Sequence, residues 1–424
     1  MAGECEFEKD NVSTIMKGII RSIGPAIIVA AVVLGPGSIL TSSKVGATFG
    51  LMGIPVVVGA AILMIAMVAL SARLGVVYEN SICDELASRL GRPVAVGIGG
   101  ILFILIALFQ SSNNVALIGG IEAMAGKGEL SGAVRFLVLL AFNGCIIACL
   151  YLLRNLYRSV EGLMKLLIGL MSVAFLVNLT VAFSTPRGYS STPPVQAPDL
   201  LPLLAMVGTT FSVAGAFYQA YLVKEKGWGI GDVRKGVIDS VVSISVLGLM
   251  TVALLLTAFR VFYGRPDPIE LGSVGDVALQ LEPLFGSQAR VVFSAGILAG
   301  ALSSFLVNSM IGGTVMSDAI GKGSKLSDRW PVHLTAVCLL IGMAVAMMSL
   351  AREGSTVLLI TLAQALTVLG IPALAAALIY LGTRKELVGE RKVPAAILIV
   401  ATIGFFVSCV LACMTAVKVY EKLM

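Results

Sequence analysis

Backbone groups and neutral oxygen atoms are the groups that could do chemistry in the first apolar segment of this chain. The stretch Gly35-Pro36-Gly37-Ser38 lies within residues 22–43, which contain no charged side chain. Because Pro36 lacks an amide hydrogen and a flexible glycine flanks it on each side, a regular helix cannot run through this stretch. Irregular backbone at membrane depth persists only where it faces protein or a water-filled cavity. A helix broken there is typical of a ligand site, and we predict one.

A second apolar segment, residues 200–223, has a weak helix interior. Its stretch from Gly208 to Gly215 combines small, hydroxyl and β-branched residues, which favour a helix less than the flanking residues do. The two interrupted segments are the first and the sixth of the apolar segments along the chain. Interruptions at corresponding positions of two halves indicate an inverted repeat, with the binding site at the interface between the repeats.

The composition places these segments in a membrane. The chain has 424 residues, of which 58% are hydrophobic and 13% charged, whereas soluble domains carry about 25% charged residues. A helix needs about 20 apolar residues to cross a bilayer. Eleven windows between charged residues meet or approach that length: 22–43, 45–72, 93–121, 136–153, 166–186, 200–223, 240–259, 291–317, 330–351, 354–383 and 393–417.

The windows predict an all-α, polytopic membrane protein with a single membrane domain, residues 1–424. The first repeat of five helices would be residues 19–184 and the second residues 199–383, with residues 393–417 as one additional C-terminal helix. Loops on the N-terminal side carry about twice as many Lys and Arg residues as the opposite loops. The N-terminus is therefore predicted to be cytoplasmic and the C-terminus extracytoplasmic.

Segments in four of the predicted spans carry a resemblance to a known family. They are Gly24-Pro25 followed by Pro36-Gly37 in span 1, Ala69 to Gly75 in span 2, Ala301 to Ser304 followed by Gly312 to Met316 in span 8, and Gln364 to Leu366 followed by Ile371-Pro372 in span 10. Through these segments, the chain resembles the Nramp family of proton-coupled divalent-metal transporters over roughly spans 1 to 10. The resemblance implies the leucine-transporter type of fold, with the substrate between broken spans 1 and 6.

The chain departs from the family at the residues that carry the metal and proton chemistry. The family motif Asp-Pro-Gly-Asn of span 1 reads Gly35-Pro36-Gly37-Ser38 here. The family's Met-Pro-His of span 6 falls on Ser212-Val213-Ala214, and a second family histidine falls on Gln219. Two family carboxylates of span 3, linked to proton movement, fall on Asn114 and Leu117.

These departures replace charged and imidazole ligands with neutral groups. Transition metals favour imidazole or sulfur, whereas Mg²⁺ binds oxygen and keeps several waters. We therefore expect a hydrated cation such as Mg²⁺ rather than a transition metal. We expect no proton coupling of the family's kind, since a proton relay needs titratable groups in the membrane. The predicted substrate-binding residues are Gly35, Ser38, Lys44, Asn114, Thr209, Ser212, Ala214, Gln219 and Gln364.

Two further interpretations concern ions near the first break. Lys44 follows Ser38 by six residues, about 9 Å along a helix. It either snorkels to the outer interface or faces the cavity, where it would favour an anionic or zwitterionic substrate. The hydroxyls of Ser303 and Ser304, with freed carbonyls near Leu34, form a candidate Na⁺ site, as the fold that the chain resembles implies. The two serines are alternatively close-packing residues.

Three functions stay open at this point. They are a transporter of a hydrated or weakly coordinated cation, a Na⁺-linked or uncoupled transporter of a small organic or anionic solute, and a non-transporting relative with a sensor role. No pattern of a nucleophile with a base indicates an enzyme, and no cofactor is predicted. The expected partners are a small-molecule or ion substrate and membrane lipid, without nucleic acid. The expected form is a monomer in the cell membrane.

Overall fold

The computed structural model describes residues 24–125, 130–153, 156–186, 200–265, 271, 274–350 and 355–423. Nearly all of this part is helical, and it contains no strand. The helices of its first half are α1 (Ala26–Val33), α2 (Pro36–Phe49), α3 (Gly53–Val77), α4 (Ile82–Leu90), α5 (Arg92–Ala125), α6 (Gly132–Leu152) and α7 (Leu156–Ser184). Those of its second half are α8 (Leu201–Thr210), α9 (Val213–Glu225), α10 (Val233–Phe262), α11 (Val274–Ala319), α12 (Arg329–Leu350), α13 (Ser355–Gly382) and α14 (Ala395–Leu423).

Helix occupies each of the eleven predicted windows. Within the described ranges, nine helical segments are long and apolar enough to cross a membrane. The number is below eleven because α2 and α3 form one segment, Pro36–Val77, and because the described apolar part of α13 is the shorter Val368–Gly382. Lys44 separates the first two windows in the sequence, but in the structure it lies inside α2. The boundary between α2 and α3 is a short 3-10 helix at Gly50–Met52. The predicted repeat boundaries at residues 19 and 199 lie outside the described residues.

Both predicted helix breaks are present. Leu34 and Gly35 separate α1 from α2, with non-helical backbone at Leu34 (φ −78°, ψ 42°). Pro36 then begins α2, where its missing amide hydrogen removes no helical bond. Phe211 and Ser212 separate α8 from α9, although no proline is present there.

Packing against the last helix explains how the second break is held. The Phe211 side chain is fully buried. Its ring lies against Gly404 of α14, so closely that a Cβ atom on this glycine would lie 2.8 Å from the ring. The additional eleventh span therefore anchors the residue at which span 6 is interrupted.

Helix α1 lies at the centre of the molecule. Its eight residues are at most 6% exposed. At its start, the carboxylate of Asp239 on α10 accepts hydrogen bonds from the N–H groups of Gly24 (2.6 Å) and Ala26 (2.8 Å). A carboxylate at this position satisfies N–H groups that the helix leaves free, and it complements the positive end of the helix dipole.

Helices α3 and α9 pack backbone to backbone. The hydroxyl of Ser71 accepts from the N–H of Ala220 (3.1 Å) and donates to the carbonyl of Phe217 (3.2 Å). At Gly75, a Cβ atom would lie only 2.4 Å from the carbonyl oxygen of Ala220. Small residues at such contacts let membrane helices approach closely, so these two helices form one tightly joined unit.

Helix α4 lies outside the predicted windows because it is short and amphipathic. The Ser81 hydroxyl caps its start by accepting from the N–H of Asp84 (3.3 Å). At its end, Arg89 forms an ion pair with Glu386, and hydrogen bonding to this guanidinium lowers the pKa of the Glu386 carboxyl. The helix therefore ties the loop between α3 and α5 to the segment that follows α13.

The contact between Asp239 and α1 predicts a large effect on stability. We expect Asp239→Ala to lower the free energy of unfolding by about 2–4 kcal/mol, because two buried N–H groups lose their acceptor. The measurement is the thermal unfolding of the purified protein in detergent. Asp84→Ala is the control, since its ion pair with Arg92 is about half exposed and should contribute less than about 1 kcal/mol. Equal melting temperatures for the two variants would contradict the assignment.

Candidate functional site

The break in span 1 frees backbone carbonyls at the end of α1. Helix ends leave such groups without intrahelical partners. The hydroxyl of Ser38 donates to the carbonyl of Val33. The hydroxyl of Ser303, on α11, lies within hydrogen-bond distance of two carbonyls, those of Ala31 (2.9 Å) and Gly300 (3.0 Å), and its one hydrogen serves either of them. Two of the hydroxyls predicted for the site therefore do contact the break.

Ser304 closes the space beside Gly35. A Cβ atom on Gly35 would lie 2.6 Å from the Oγ and 2.8 Å from the Cβ of Ser304. Ser304 is fully buried, and its hydroxyl accepts a hydrogen bond from the amide of Asn308 (2.9 Å). In this arrangement no side chain fits at residue 35, and a neutral hydroxyl occupies the place where one would begin.

The break in span 6 lies beside the break in span 1. The hydroxyls of Thr41 on α2 and Thr209 on α8 are 3.2 Å apart. On the other side of the break, a Cβ atom on Gly215 of α9 would lie 3.1 Å from the side chain of Val29 on α1. Ser212, between these two contacts in the chain, is half-buried. We call this region, around residues 34–38 and 209–214, the junction.

Helix ends supply the electrostatics of the junction. The N-termini of α2 and α9 carry partial positive charge, and the C-termini of α1 and α8 carry partial negative charge. Of the residues that the structure describes, no three His, Cys, Asp or Glu side chains are grouped to hold a metal ion. The junction can therefore bind a cation through carbonyl and hydroxyl oxygens, or an anionic group through free N–H groups.

Five of the predicted substrate ligands lie at the junction. Gly35, Ser38, Thr209, Ser212 and Ala214 belong to the two breaks or to the helix turns beside them. In contrast, Gln219 lies two turns further along α9, fully buried, with no hydrogen-bond partner in the structure for either amide atom.

The remaining predicted ligands are Asn114, Lys44 and Gln364. The amide of Asn114 bonds to the carbonyl of Gln110 (2.8 Å) and to Asn143 of α6 (2.8 Å), so its bonds lead away from spans 1 and 6. Lys44 is half-buried on α2. The side chain of Gln364 lies outside the described part of the structure.

Four neutral amide side chains form a hydrogen-bonded group that the sequence pattern did not predict. Gln110 of α5 donates to the carbonyl of Phe305 (2.5 Å) and accepts from Asn113 (2.6 Å). Together with Asn114 and Asn143, they connect α5, α6 and α11 through hydrogen bonds that carry no charge. The available signal was the polar run at residues 110–114 inside an otherwise apolar window.

Comparison with known sequences gives one family over most of the chain. The family model for natural resistance-associated macrophage protein-like proteins, Nramp, matches residues 26–418. A divalent metal cation transporter MntH from Verminephrobacter eiseniae is 25% identical over 418 residues, which cover 94% of this chain and 88% of the relative. A protein of the same name from Acidiphilium cryptum is 23% identical and covers 87% and 84%, respectively.

Comparison with solved structures confirms the predicted fold. A manganese transporter from Eremococcus coleocola superposes with a TM-score of 0.76 at 16% identity, covering 95% of this chain and 87% of that one. Mhp1, a nucleobase-cation-symport-1 family transporter, superposes with a TM-score of 0.57 at 11% identity, covering 94% and 93%. The fold is thus the leucine-transporter type, an inverted repeat of five plus five helices with one added at the C-terminus.

The contact at residue 35 predicts a compensating pair of substitutions. Gly35→Ala should lower the free energy of unfolding by about 1–3 kcal/mol, because its methyl group overlaps Ser304. Adding Ser304→Gly should restore most of this loss, as measured by thermal unfolding in detergent. Gly169→Ala, on α7 where nothing lies within 4 Å, is the matched control and should be neutral. Additive losses in the double variant would contradict the contact.

Proposed function

The chain belongs to the Nramp family, and on that premise we propose that it is a secondary membrane transporter that works by alternating access. Its substrate binds at the junction, between α1 and α2 on one side and α8 and α9 on the other. The curated relatives are named as divalent metal cation transporters, which supports a cation as substrate. The paired helix breaks support the site, because broken helices at corresponding positions of two repeats are where such folds bind their substrates.

We propose a hydrated cation such as Mg²⁺ in preference to a transition metal. The contact of Ser304 with Gly35 carries this proposal, because it leaves no room for a carboxylate at residue 35. The junction then offers carbonyl and hydroxyl oxygens alone. Mg²⁺ tolerates such a site because it dehydrates reluctantly and retains water as ligands. Transition metals gain most from imidazole and thiolate ligands, and neither type is found among the junction residues.

The remaining assignments belong to the same proposal. The excess of Lys and Arg in loops on the N-terminal side supports a cytoplasmic N-terminus and an extracytoplasmic C-terminus. Residues 19–184 and 199–383 form the two repeats, and residues 393–417 the added span. The protein acts as a monomer surrounded by membrane lipid. The neutral amides of α5 and α6 support transport without proton coupling through these helices, because amides do not titrate.

Uptake into proteoliposomes tests the substrate. We expect saturable Mg²⁺ uptake, reported by an enclosed Mg²⁺-sensitive dye under an inside-negative membrane potential, and slower Mn²⁺ uptake at the same concentration. Ser38→Trp should abolish uptake, because the indole fills the junction. Leu166→Trp is the control, since this side chain on α7 is 68% exposed at the outer surface of the helix bundle.

Two results would contradict a cation substrate. One is stabilisation of the purified protein by an amino acid or organic acid, with none by Mg²⁺ or Mn²⁺. The other is the absence of any flux together with specific binding of a ligand, which would favour a sensor. If Ser38→Trp and the unsubstituted protein take up Mg²⁺ equally fast, the substrate does not bind at the junction.

A second candidate is Na⁺-linked transport of a small organic or anionic solute. The observation that favours it is the cluster of neutral oxygens at the end of α1. Ser303 Oγ lies within 3.0 Å of the carbonyls of Ala31 and Gly300, and the carbonyl of Leu34 lies beside Gly300. With Ser304, these groups offer oxygens at the negative end of a half-helix, which suits a monovalent cation. The free N–H groups of α2 and α9, with Lys44, would then attract the anionic solute.

Ion-dependent stability tests this second candidate. If Na⁺ binds there, replacing K⁺ by Na⁺ at constant ionic strength should raise the melting temperature of the purified protein, because an ion that binds only the folded state stabilises it. Ser303→Ala should remove this difference. Ser309→Ala is the matched control, since Ser309 lies on the same helix, is equally buried and bonds only to the carbonyl of Leu306. A difference that persists in Ser303→Ala would argue against the site.

A further inference from the structure

Asp318 is a buried carboxylate that the junction does not use. It lies in the last turn of α11 and is 1% exposed. Its oxygens accept hydrogen bonds from the hydroxyl of Ser81 (2.5 Å), the N–H of Cys83 (3.1 Å) and the hydroxyl of Tyr221 (2.6 Å). Ser81 and Cys83 lie at the start of α4, and Tyr221 lies on α9. One side chain therefore joins three elements that are distant in the chain.

The bond from Tyr221 links two bodies that alternating access must separate. Helix α9 is joined to α3 through Ser71 and the close contact at Gly75. Helix α11 forms the opposite wall of the first break. Access alternates in this fold by rocking or gating of one group of helices against another. Opening the junction toward this end of α9 therefore requires the bond between Tyr221 and Asp318 to break.

Two neighbouring contacts close the same end of the molecule. The ammonium group of Lys224 donates to the carbonyl of Tyr78 (2.6 Å). The carboxylate of Glu225 accepts from the N–H of Leu326, in the segment after α11 (2.7 Å). Both lie one turn beyond Tyr221 on α9. Lys224 joins this helix end to the end of α3 within the same unit, whereas Glu225 joins it to the segment after α11.

We propose that the hydrogen bond between Tyr221 and Asp318 is the cytoplasmic gate of the transporter, and that its breakage uncovers the thiol of Cys83. The inference rests on the proposed alternating access and orientation, and it does not depend on which ion is carried. Hydrogen bonds to carboxylates are stronger than neutral ones. Losing this bond shifts the population toward the open state.

Cys83 is a built-in reporter of the gate. Its side chain is fully buried, and its sulfur lies 3.3 Å from the hydroxyl of Tyr221. Burial, together with the adjacent Asp318 carboxylate, raises the pKa of this thiol well above its ordinary value. A protonated, buried thiol reacts slowly with electrophiles, so the closed gate protects it and the open gate exposes it.

Alkylation of Cys83 by a membrane-impermeant maleimide tests the gate. The starting protein for this experiment is a variant that retains Cys83 and carries alanine in place of the other six of the seven cysteines. We expect slow labelling of this protein in inside-out vesicles, measured by mass shift. Tyr221→Phe and Asp318→Asn should each raise the labelling rate at least tenfold in inside-out vesicles and leave it slow in right-side-out vesicles.

Two controls separate gating from loss of the fold. Tyr218→Phe removes the hydroxyl of the buried tyrosine that stacks on Tyr221 (5.9 Å between ring centroids), and it should leave the rate unchanged. A protein that retains only Cys338, which is fully buried on α12, should stay unlabelled with either substitution.

Two outcomes would overturn the gate. One is an unchanged rate for Cys83 in both Tyr221→Phe and Asp318→Asn. The other is an equal rise in labelling of Cys338, which would mean that the contact only holds the fold. Because labelling requires no transported ion, failure of Mg²⁺ uptake would leave the gate standing. If the protein takes up Mg²⁺ but the labelling rate of Cys83 is unchanged in both variants, the proposed gate is wrong and the proposed transport function stands.

Discussion

Polar backbone groups freed in the middle of a membrane are the constraint on which the rest of this structure depends. An unsatisfied group in hydrocarbon costs several kcal/mol, so the break between α1 and α2 has to be surrounded by donors and acceptors. Ser38 and Ser303 satisfy carbonyls at the end of α1, and Asp239 satisfies N–H groups at its start. The helices that supply these hydrogen-bonding groups must pack against α1. Helix α1 is therefore central and enclosed by its neighbours.

The polar groups around this centre are sorted by depth. Carboxylates lie near helix ends, as Asp239 and Asp318 do, and each is bound by several donors. Neutral hydroxyls and amides, such as those of Ser304 and Asn114, lie further inside. Neutral groups cost less to bury than charges do. The junction therefore takes its electrostatic character from the ends of half-helices.

Helix α11 connects the junction to the proposed gate. Ser304 contacts the break at one level, and Asp318 holds α9 fourteen residues further along, about 21 Å at 1.5 Å per residue. A continuous helix is stiff over such a length, so it can transmit a displacement at the junction to the end where Asp318 lies. The close backbone packing of α3 with α9 makes the opposing body equally stiff. Hydrogen bonds between two such bodies, like that of Tyr221 with Asp318, must break when the bodies rock against each other.

The sequence by itself determined the all-helical membrane character and both interruptions, because hydropathy and the backbone limits of proline and glycine are local properties. It missed α4, whose amphipathic pattern is too short for a membrane window. It also determined that the carboxylate and imidazole ligands of the family are absent from the breaks. Only the tertiary structure decided which neutral residues meet. Ser304 faces Gly35, whereas Asn114 bonds to Gln110 and Asn143. Such proximities depend on how whole helices pack, and no local pattern encodes the distance between residues that are hundreds of positions apart.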